Sequence, residues 1–452
     1  MTAANQKVAG VAAPAEQAVE RALAIIEQRN PAINAFTDVT ADRARAQARQ
    51  VDRQNIKGPL AGVPFAVKNL FDIAGLPTRA GSLINRDHAP AQNDSTLVSR
   101  LEKQGAVLVG GLNMGEYAYD FTGRNVHDGN ARNPHDVAHM TGGSSSGSGA
   151  AVAAGMVPLT LGSDTNGSIR VPSAFCGIYG LKPTFGRLSR AKSFPFVGSL
   201  DHLGPMASTV EILAAAYDAM QGPDDEDPFC AQRAVEPVLA SLDSDISGLR
   251  IATAGGFFAT GGAPEAFEAV KIVAHALGAT RTVELPEAAR ARAAAYLITA
   301  SEGASLHLDR LRTRAADFDP EVRDRFIAGA MIPASWVQRA HRFRRWYCAR
   351  LAELFTQVDI ILAPSTPCRA PRLEQQTFIF DGKELPLRPN IGVYTQPISF
   401  AGLPVAAVPI SPDAGLPLGV QVIAAPWRED LVLRVARHLE RNGVARVRIA
   451  AV

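Results

Sequence analysis

Two serine-containing loops on either side of a short apolar run constrain the fold of this chain more than any other feature. Ser144 lies in a segment rich in glycine and serine, and Ser168 follows 24 residues later. The residues between them predict a short buried helix to Ala154, a break at Gly155 and a strand over 157–161. A helix of about ten residues covers ~15 Å. A strand of about five residues covers ~16 Å in the opposite direction, so both serines can reach the same edge of a sheet.

The amino-acid composition limits the classes of protein to which this chain can belong. The chain has 452 residues, of which 47% are hydrophobic and 20% are charged, proportions typical of a soluble globular protein. Its formal net charge of +2 gives no electrostatic basis for a nucleic acid or a membrane as partner. The N-terminus has no recognisable secretory signal, the four cysteines show no CxxC spacing, and no HExxH-type histidine pair occurs. We therefore expect a cytoplasmic protein with reduced thiols, and we assign it no metal and no cofactor.

Helix and strand patterns alternate along the chain, which indicates an α/β layered fold. Residues 15–54 predict two amphipathic helices separated near Asn30-Pro31. Residues 63–67 form an apolar run suited to a buried strand, with Lys68 at its exit. The further predicted elements are a helix over 96–104, strands over 106–109, 358–364 and 416–423, a mostly helical region over 287–350 and a terminal helix over 430–441.

The domain organisation predicted from these patterns is simple. No internal repeat or low-complexity linker divides the chain, so we interpret residues 1–452 as a single domain. Its helical N-terminal segment spans 1–56, the core with the candidate catalytic residues spans 57–210, and residues 211–452 complete the sheet and the substrate pocket. The acidic stretch Asp224–Asp227, flanked by prolines, is interpreted as a solvated surface loop and not as a metal site.

The serine loops do not match the common phosphate-binding or serine-hydrolase patterns. The first loop lacks the Gly-Lys-Ser/Thr ending of a phosphate loop. Arg170 stands where a nucleophile elbow around Ser168 needs glycine, and no histidine lies in a matching loop. Lys68 offers a base instead, because burial at the end of an apolar strand favours the neutral amine. In the resulting path Lys68 takes a proton from Ser144, Ser144 takes one from Ser168, and Ser168 attacks a carbonyl carbon.

The turn Thr165–Ser168 can supply donors for the developing oxyanion. It leads towards a helix and can direct several backbone N–H groups at one point. Gly167 allows a close approach of the backbone, and Asn166 tolerates unusual turn dihedrals. We predict that Asp164 and Arg170 pair across the turn and support it structurally. The remaining loop serines are interpreted as turn residues without a chemical role, with Ser145 in structural support: Ser145, Ser146, Ser148 and Ser163.

Three stretches carry a resemblance to a known family. They are Gly142-Gly143-Ser144-Ser145, then Ser168-Ile169-Arg170-Val171-Pro172-Ser173-Ala174-Phe175-Cys176-Gly177, and then Gly180-Leu181-Lys182-Pro183-Thr184. The pattern resembles the amidase signature family, and the match covers nearly the whole chain. The resemblance implies an α/β amidase signature fold, in which a large twisted mixed β-sheet lies between helical layers. It also implies that Lys68 is the catalytic lysine, Ser144 the bridging serine after a cis peptide, and Ser168 the acyl-forming nucleophile.

Within this family, the sequence is most similar to the AtzE-type amidohydrolases, the biuret and 1-carboxybiuret hydrolases of s-triazine breakdown. The supporting stretches are Ala66–Ile73, Gly111–Met114, Ser163–Ser168, Phe185–Arg190 and Asp201–Pro205. Asn69 and Asn166 depart from many members of the broad family, but this subgroup shares both. The resemblance therefore implies an amidohydrolase that releases ammonia from a small polar amide or ureide.

The resemblance also implies substrate-binding residues and partners. Family members with an anionic or ureido substrate often use an arginine on the helix after the middle region. The candidate substrate-binding residues are Asn113, Tyr119 and Arg344, with Arg342, Arg345, Tyr117 and Phe121 as alternatives. The subgroup usually works with a small helical accessory subunit, so a homodimer or a heterotetramer is expected. Neither nucleic acid nor membrane is an expected partner.

Two other functions fit parts of the sequence. The A subunit of a tRNA-dependent amidotransferase uses the same lysine and serines to release ammonia from glutamine. Asn69, Asn166 and the loop 119–133 fit that function less well. A non-catalytic scaffold on the amidase fold is the third alternative, which the intact set of candidate catalytic residues disfavours.

Overall fold

The predicted alternation of helices and strands is confirmed by a computed structural model, which describes residues 14–411 and 415–451. Residues 1–13, on which the expectation of no secretory signal rests, lie outside the described residues. The strands, in chain order, are β1 Phe36–Val39, β2 Pro64–Lys68, β3 Val107–Leu112, β4 Leu159–Asp164, β5 Tyr179–Lys182, β6 His202–Ala207, β7 Ile251–Ala254, β8 Arg281–Val283, β9 Ile360–Pro364, β10 Thr377–Phe380, β11 Lys383–Pro386, β12 Val405–Ile410 and β13 Leu418–Ala424.

Helices connect most of these strands. In chain order they are α1 Ala15–Ile33, α2 Ala41–Gln54, α3 Thr96–Lys103, α4 Ser146–Ala153, α5 Arg170–Cys176, α6 Val210–Met220, α7 Pro264–Ala276, α8 Ala288–Thr313, α9 Pro320–Ala330, α10 Ala334–Leu354, α11 Leu387–Asn390, α12 Gln396–Ala401 and α13 Glu429–Arg441. The predicted helical region over 287–350 is therefore three helices, α8, α9 and α10.

The predicted helix break near Asn30-Pro31 is wrong. Helix α1 continues through Pro31 and ends at Ile33, and the short strand β1 separates it from α2. Proline lacks only its own N–H donor, and in the last turn the loss of one bond is tolerated. The helix stops at Asn34, which adopts a left-handed conformation and donates its N–H to the Asn30 carbonyl.

Eleven of the strands form one mixed sheet. Their order is β1-β3-β2-β4-β6-β5-β12-β13-β9-β7-β8, while β10 and β11 form a separate hairpin. Strand β2 pairs in parallel with β3 and β4, and β7 pairs in parallel with β8 and β9. The strands between these two parallel blocks are antiparallel to their neighbours. The late strands β12 and β13 lie inside the sheet, and they join the block that contains Lys68 to the block formed by β7, β8 and β9.

Helical layers cover both faces of this sheet. Side chains alternate between the two faces of a strand, and in β2 both faces are buried. Phe65 and Val67 pack in the larger apolar cluster, whereas Ala66 packs in the cluster formed with α1, α2 and α4. Burial on both faces explains why β2 is an unbroken apolar run, as expected for a central strand of a parallel block.

The return of the chain between the two serines is confirmed. Helix α4 begins just after Ser144 and ends at Ala153, Gly155 has a φ of +66°, and β4 runs from Leu159 to Asp164. A positive φ at this position suits glycine. The helix and the strand run in opposite directions, so the loops that hold Ser144 and Ser168 lie at the same end of β4.

The interpretation of the acidic stretch as a solvated loop is wrong for two of its residues. Asp224 accepts hydrogen bonds from Thr96 at 2.7 Å and from Ser189 at 2.5 Å. Asp227 is buried and forms an ion pair with Arg190 at 3.4 Å. These two carboxylates fix the segment between β5 and β6 to α3 and to the loop after α6. Within the described residues, no helix has the length and apolar character that crossing a membrane requires.

Truncation of Leu362 in β9 should destabilise the fold strongly. The side chain is fully buried in the larger apolar cluster, so Leu362→Ala is expected to lower the free energy of unfolding by about 2–5 kcal/mol. Leu306→Ala, at a position 38% exposed on α8, should change it by less than about 0.5 kcal/mol. Urea denaturation followed by circular dichroism measures both, and equal effects at the two sites would contradict the assigned core.

Candidate active site

Lys68 ends strand β2 with its side chain fully buried. Its amine donates to the Ser144 hydroxyl at 2.6 Å and to the Ser163 hydroxyl at 2.8 Å. Strand β2 lies between β3 and β4, so the strand exit is enclosed on both sides. The amine therefore meets two serine hydroxyls in a site without access to bulk water.

The environment of Lys68 changes its acidity. Burial lowers the pKa of Lys68 to about 7, because removal from water disfavours the charged amine. The negative charges of Asp201 and Asp164 oppose this shift. A substantial fraction of the amine is therefore neutral near neutral pH, and a neutral amine has a lone pair that can accept a proton from Ser144.

A tight loop presents Ser144 to this amine. The peptide bond between Gly143 and Ser144 is cis, and the Ser144 carbonyl accepts a hydrogen bond from the Gly115 N–H at 3.1 Å. A Cβ on Gly143 would lie 2.7 Å from the Gly123 nitrogen, so only glycine fits here. The loop is buried and closely packed, which fixes the position of the Ser144 hydroxyl.

A buried ion pair closes the turn that holds Ser168. Asp164 ends β4 and Arg170 begins α5, and their side chains meet at 2.9 Å with no exposure to solvent. The same carboxylate accepts the Ile169 N–H at 3.2 Å. The Arg170 guanidinium holds the pKa of Asp164 well below its usual range, against the effect of burial. The predicted pairing of Asp164 and Arg170 is thus confirmed.

The turn between Asp164 and Arg170 offers backbone N–H groups as hydrogen-bond donors. No acceptor among the described residues pairs with the N–H groups of Asn166, Gly167 or Ser168. The φ of Gly167 is +145°, and a Cβ there would lie 2.2 Å from the Thr395 hydroxyl oxygen. The turn is therefore restricted to glycine at this position, and its donors are available to an anion.

A small pocket opens at Ser168. It is narrow and has Thr165, Asn166 and Ser168 on one side. The other walls come from the loop 118–121, from α8, from α9, from α11 and from the start of α12. Lining residues on these walls are Tyr119, Phe121, Tyr296, Thr299, Arg325 and Gln396. The Asn166 amide donates to the Thr299 hydroxyl at 2.9 Å, which joins the turn to α8.

Arg325 is the cation of this pocket. Its guanidinium lies 3.5 Å from the centre of the Tyr119 ring and donates to the Tyr119 carbonyl at 2.5 Å. Asp120, the acidic residue that lines the same pocket, instead pairs with Arg388 at 3.3 Å and accepts several backbone N–H groups. Within the described residues no carboxylate pairs with Arg325, so its charge can attract an anionic group of a substrate.

Comparison with known proteins identifies the family. A sequence model described as Amidase matches residues 17–433. The 1-carboxybiuret hydrolase subunit AtzE of Pseudomonas sp. (strain ADP) is 53% identical over 440 residues, which cover 96% of each chain. The A subunit of the glutamyl-tRNA(Gln) amidotransferase of Roseiflexus sp. (strain RS-1) is 37% identical over 451 residues, which cover 93% of this chain and 91% of the relative.

A solved structure supports the same assignment. It is described as an unexpected vestigial protein complex that reveals the evolutionary origins of an s-triazine catabolic enzyme. It matches with a TM-score of 0.95 and 53% identity, over 96% of this chain and 97% of the other. The chain belongs to the amidase family. It is an amide-hydrolysing enzyme, and the resemblance and the mixed α/β fold inferred from its sequence are both confirmed.

The amidase does not bring all the predicted substrate-binding residues to the pocket. Tyr119 lines it, but Asn113 is fully buried elsewhere, and its amide donates to the carbonyls of Asn34 and Gly129. Arg344 donates to the carbonyls of Phe400 and Ser199 at 2.7 and 2.8 Å, outside the pocket lining. Both side chains thus make contacts that hold loops and helices together.

The alternative candidates for substrate binding also lie in different parts of the structure. Phe121 lines the pocket, whereas Tyr117 is buried with its ring 4.1 Å from His307 and its hydroxyl bonded to Asn85. Arg342 and Arg345 are exposed on α10. Arg342 and Arg345 share helix α10 with Arg344, but they do not line the pocket at Ser168.

The interpretation of the loop serines as turn residues is wrong for three of the four, Ser146, Ser148 and Ser163. Ser163 lies in β4 and bonds Lys68, while Ser146 and Ser148 lie in α4. Ser145 precedes α4, where its hydroxyl donates to the Ser163 carbonyl at 3.2 Å and accepts the Ser163 N–H at 3.3 Å. These contacts connect the loop of Ser144 to strand β4, so the structural role predicted for Ser145 has a physical basis.

No sequence pattern pointed to two residues near the candidate site, Asp201 and Arg325. Asp201 is buried, and it accepts the Thr165 hydroxyl at 2.6 Å and the N–H groups of Phe196 and Val197 at 2.8 Å. Asp201 lies within the family-matching stretch Asp201–Pro205, but no sequence motif indicates that its side chain contacts Thr165. Among the described residues no group of three or more His, Cys, Asp or Glu side chains could hold a metal ion.

The pH dependence of the amidase should follow Lys68. With Lys68 as the predicted base, activity needs the neutral amine, so kcat/KM is expected to rise with pH and to reach half its plateau near pH 7, where burial places the pKa of Lys68. Lys68→Arg, which stays charged, should abolish activity, whereas Lys57→Arg at an exposed position should not. Initial-rate measurements from about pH 5 to 9 give the profile. A constant kcat/KM over that range would refute the role of Lys68 as base.

Proposed function

We propose that this amidase cleaves the C–N bond of a small, carboxylated amide or ureide and releases ammonia through an acyl-enzyme on Ser168. The observation that carries the proposal is the fully buried amine of Lys68, 2.6 Å from the Ser144 hydroxyl, beside a turn whose N–H groups are free. A base, a relay and an oxyanion site are what amide hydrolysis by a serine requires.

The proposed first half-reaction moves one proton along two serines. Neutral Lys68 accepts the Ser144 proton while Ser144 accepts the Ser168 proton, and the Ser168 oxygen forms a bond to the carbonyl carbon. The carbonyl oxygen becomes an oxyanion near the N–H groups of the turn 166–168. Collapse of this intermediate breaks the C–N bond, and the proton returns from Lys68 through Ser144 to the leaving nitrogen, which departs as ammonia.

The second half-reaction repeats the path with water. Water gives a proton through Ser144 to Lys68 and its oxygen attacks the acyl carbon. When the second intermediate collapses, the proton returns to the Ser168 oxygen and the carboxylic acid leaves. Ser163 supports both halves, because its hydroxyl holds the Lys68 amine at 2.8 Å and so helps to fix its position.

The substrate class follows from the size and charge of the pocket. A narrow pocket restricts the substrate to a small molecule, and Arg325 without a carboxylate partner supplies a positive charge in it. A planar guanidinium matches a carboxylate. The similarity to a 1-carboxybiuret hydrolase subunit, 53% over 96% of the chain, supports a carboxylated ureide such as 1-carboxybiuret, with uncarboxylated biuret as an alternative substrate.

The A subunit of a tRNA-dependent glutamine amidotransferase is the second candidate. Glutamine also carries a carboxylate, so Arg325 alone does not separate the two functions. The identity to such subunits is 37% over 93% of the chain, lower than that to the hydrolase subunit. Glutamine hydrolysis that exceeds ureide hydrolysis would favour this candidate over the one proposed here.

The proposal also covers the cellular location and the assembly of the enzyme. We place it in the cytoplasm, in keeping with its composition, and we expect it to work with a separate accessory polypeptide in a homodimer or heterotetramer. The support for a partner is that the matching solved structure is described as a protein complex.

Loss of the nucleophile should abolish ammonia release. Ser168→Ala is expected to lower kcat/KM at least about 10⁴-fold, as for nucleophiles of other serine hydrolases. Ser144→Ala should lower it by about 10²–10⁴-fold through loss of the proton relay. Ser146→Ala, at the first residue of α4 and bonded to the Asn113 carbonyl, is the matched control and should stay near wild type.

The assay measures ammonia released from 1-carboxybiuret, biuret, oxamate, simple amides and glutamine. A Ser168→Ala protein as active as wild type, or a wild-type protein inactive on every substrate, would eliminate the hydrolase proposal and favour a non-catalytic scaffold.

Arg325 should act on anionic substrates selectively. Arg325→Gln is expected to weaken the binding of a carboxylated substrate by about 1.5–3 kcal/mol, the contribution of a hydrogen bond to a charged group, while a neutral amide is hydrolysed almost as before. Arg323→Gln is the control on the same helix, because Arg323 bonds Asp324 and does not line the pocket. KM and kcat for matched carboxylated and neutral amides test this, and equal losses on both would show that Arg325 only maintains the pocket wall.

A further inference from the structure

The side-chain amide of Gln396 has an orientation that its neighbour fixes. Gln396 begins α12 and lines the pocket beside Ser168. Its side-chain oxygen accepts the Nε–H group of Arg292 at 2.9 Å. A guanidinium can only donate hydrogen bonds, so the Gln396 oxygen faces Arg292 and the Nε2 group faces away from it. An exchange of the two ends of this amide would place two donors against each other.

Arg292 is in turn held in place by α11. Its Nη2 group donates to the Pro389 carbonyl at 2.8 Å and to the Asn390 side-chain oxygen at 2.7 Å. No carboxylate among the described residues pairs with Arg292, and the residue does not line the pocket. Hydrogen bonds from an ionised donor are stronger than those between neutral groups. Arg292 therefore affects the pocket through the orientation that it gives to Gln396.

The Nε2 group of Gln396 is a donor that lacks an acceptor. None of the residues that the structure describes accepts a hydrogen bond from it. Gln396 is only 4% exposed, and the pocket is the space that it borders. A buried donor without a partner lowers stability, whereas a ligand oxygen that pairs with it restores the lost hydrogen bond. The pocket is thus prepared for an acceptor at this position.

The donors of the pocket differ in what they accept from a substrate. In the function proposed above, the attacked carbonyl uses the N–H groups of the turn 166–168, and a carboxylate uses Arg325. The hydroxyls of Tyr296 and Thr299 can donate or accept, so they do not select one kind of group. The Gln396 amide requires one more acceptor. A carboxylated acylurea supplies it, because a second carbonyl lies between the attacked carbonyl and the carboxylate, whereas a simple carboxylated amide has none.

We propose that Gln396 determines specificity by donating a hydrogen bond to a second carbonyl oxygen of the substrate, and that Arg292 is the positioning residue that directs the Gln396 amide towards it. The inference rests on the proposed function, because it takes the pocket beside Ser168 as the substrate site. It narrows the substrate class from carboxylated amides and ureides to those with a further carbonyl.

Two ligands that differ in this carbonyl test the role of Gln396. Oxalurate and N-carbamoylglycine both carry a carboxylate and a terminal ureide, but a C=O group of the first is a CH₂ group in the second. Calorimetric titration of the full chain with Ser168→Ala measures both Kd values without turnover. Oxalurate is expected to bind about 2–12-fold more tightly, the range for one hydrogen bond between neutral groups.

Two substitutions of Gln396 in the Ser168→Ala chain should remove this preference. Gln396→Glu keeps an oxygen for Arg292 but replaces the N–H donor with a second oxygen, and Gln396→Leu removes both polar groups. Each should lower the ratio of the two Kd values by about 2–12-fold. Gln376→Glu, at an exposed position outside the pocket, is the control and should leave the ratio unchanged. Equal losses for both ligands, or no binding of either ligand before substitution, would overturn the proposal.

A double-mutant cycle tests the positioning role of Arg292. Arg292→Met leaves the Gln396 amide free to turn, so it should lower the preference for oxalurate while Gln396 is present. In the Gln396→Leu chain the same substitution should leave the ratio of Kd values unchanged, because the group that it orients is gone. An equal reduction in both backgrounds would show that Arg292 acts independently of Gln396 and would refute this role.

The fate of the hydrolase proposal is measured separately. If the wild-type chain releases ammonia from no substrate, the proposed function is wrong, but the Kd ratio still reports on Gln396. If Ser168→Ala abolishes ammonia release and neither substitution of Gln396 changes the ratio, the hydrolase function stands and the specificity role of Gln396 is wrong.

Discussion

The buried ion pair between Asp164 and Arg170 is the interaction on which the site depends. It joins the end of β4 to the start of α5, so it closes the turn that holds Ser168. The guanidinium also donates to the Gln421 side chain at 2.7 Å and to the Thr395 carbonyl at 3.0 Å, which ties this turn to β13 and to the segment before α12. Burying two charges is costly unless every polar atom has a partner. The partners here come from distant parts of the chain, so the turn takes its final form only when the strands late in the chain are in place.

The same charges influence the acidity of Lys68. Two lysines of this region are fully buried, yet their electrostatic surroundings differ. Burial lowers the pKa of Lys68, but Asp201 and Asp164 limit the shift, and the pKa stays near 7. For Lys182 the nearby Arg170 adds to the effect of burial, and its pKa falls well below the usual value. Lys182 donates to the Pro183 and Leu403 carbonyls and serves as a structural donor. Lys182 also lies near the carboxylates of Asp164 and Glu429, so the nearby guanidinium of Arg170 is what distinguishes the electrostatic surroundings of Lys182 from those of Lys68.

The catalytic core could be predicted from the sequence because its parts are local. Ser144, α4, β4 and Ser168 follow one another in the chain, and the pairing of Asp164 with Arg170 spans six residues. The pocket wall could not be predicted in this way, because Arg325 reaches Tyr119 across 206 positions of sequence. The contact of Ser163 with Lys68 depends on the register between β2 and β4, which no local pattern encodes. Arg344 was predicted from a family pattern but does not line the pocket. It lies on a helix after the middle region, as that pattern requires, but its guanidinium donates to the carbonyls of Ser199 and Phe400.

This division between core and wall explains how one family can hydrolyse different amides. The residues proposed to move the proton are buried, so a substitution there would leave a cavity or an unpaired polar group. Part of the pocket wall lies on α8 and α9, near the surface, and Tyr296 in this wall is 41% exposed. Elements with few buried contacts open more readily than the core, and they also tolerate substitution. The pocket wall is therefore the part of this enzyme in which substitutions can change the choice of substrate while Lys68, Ser144 and Ser168 remain fixed.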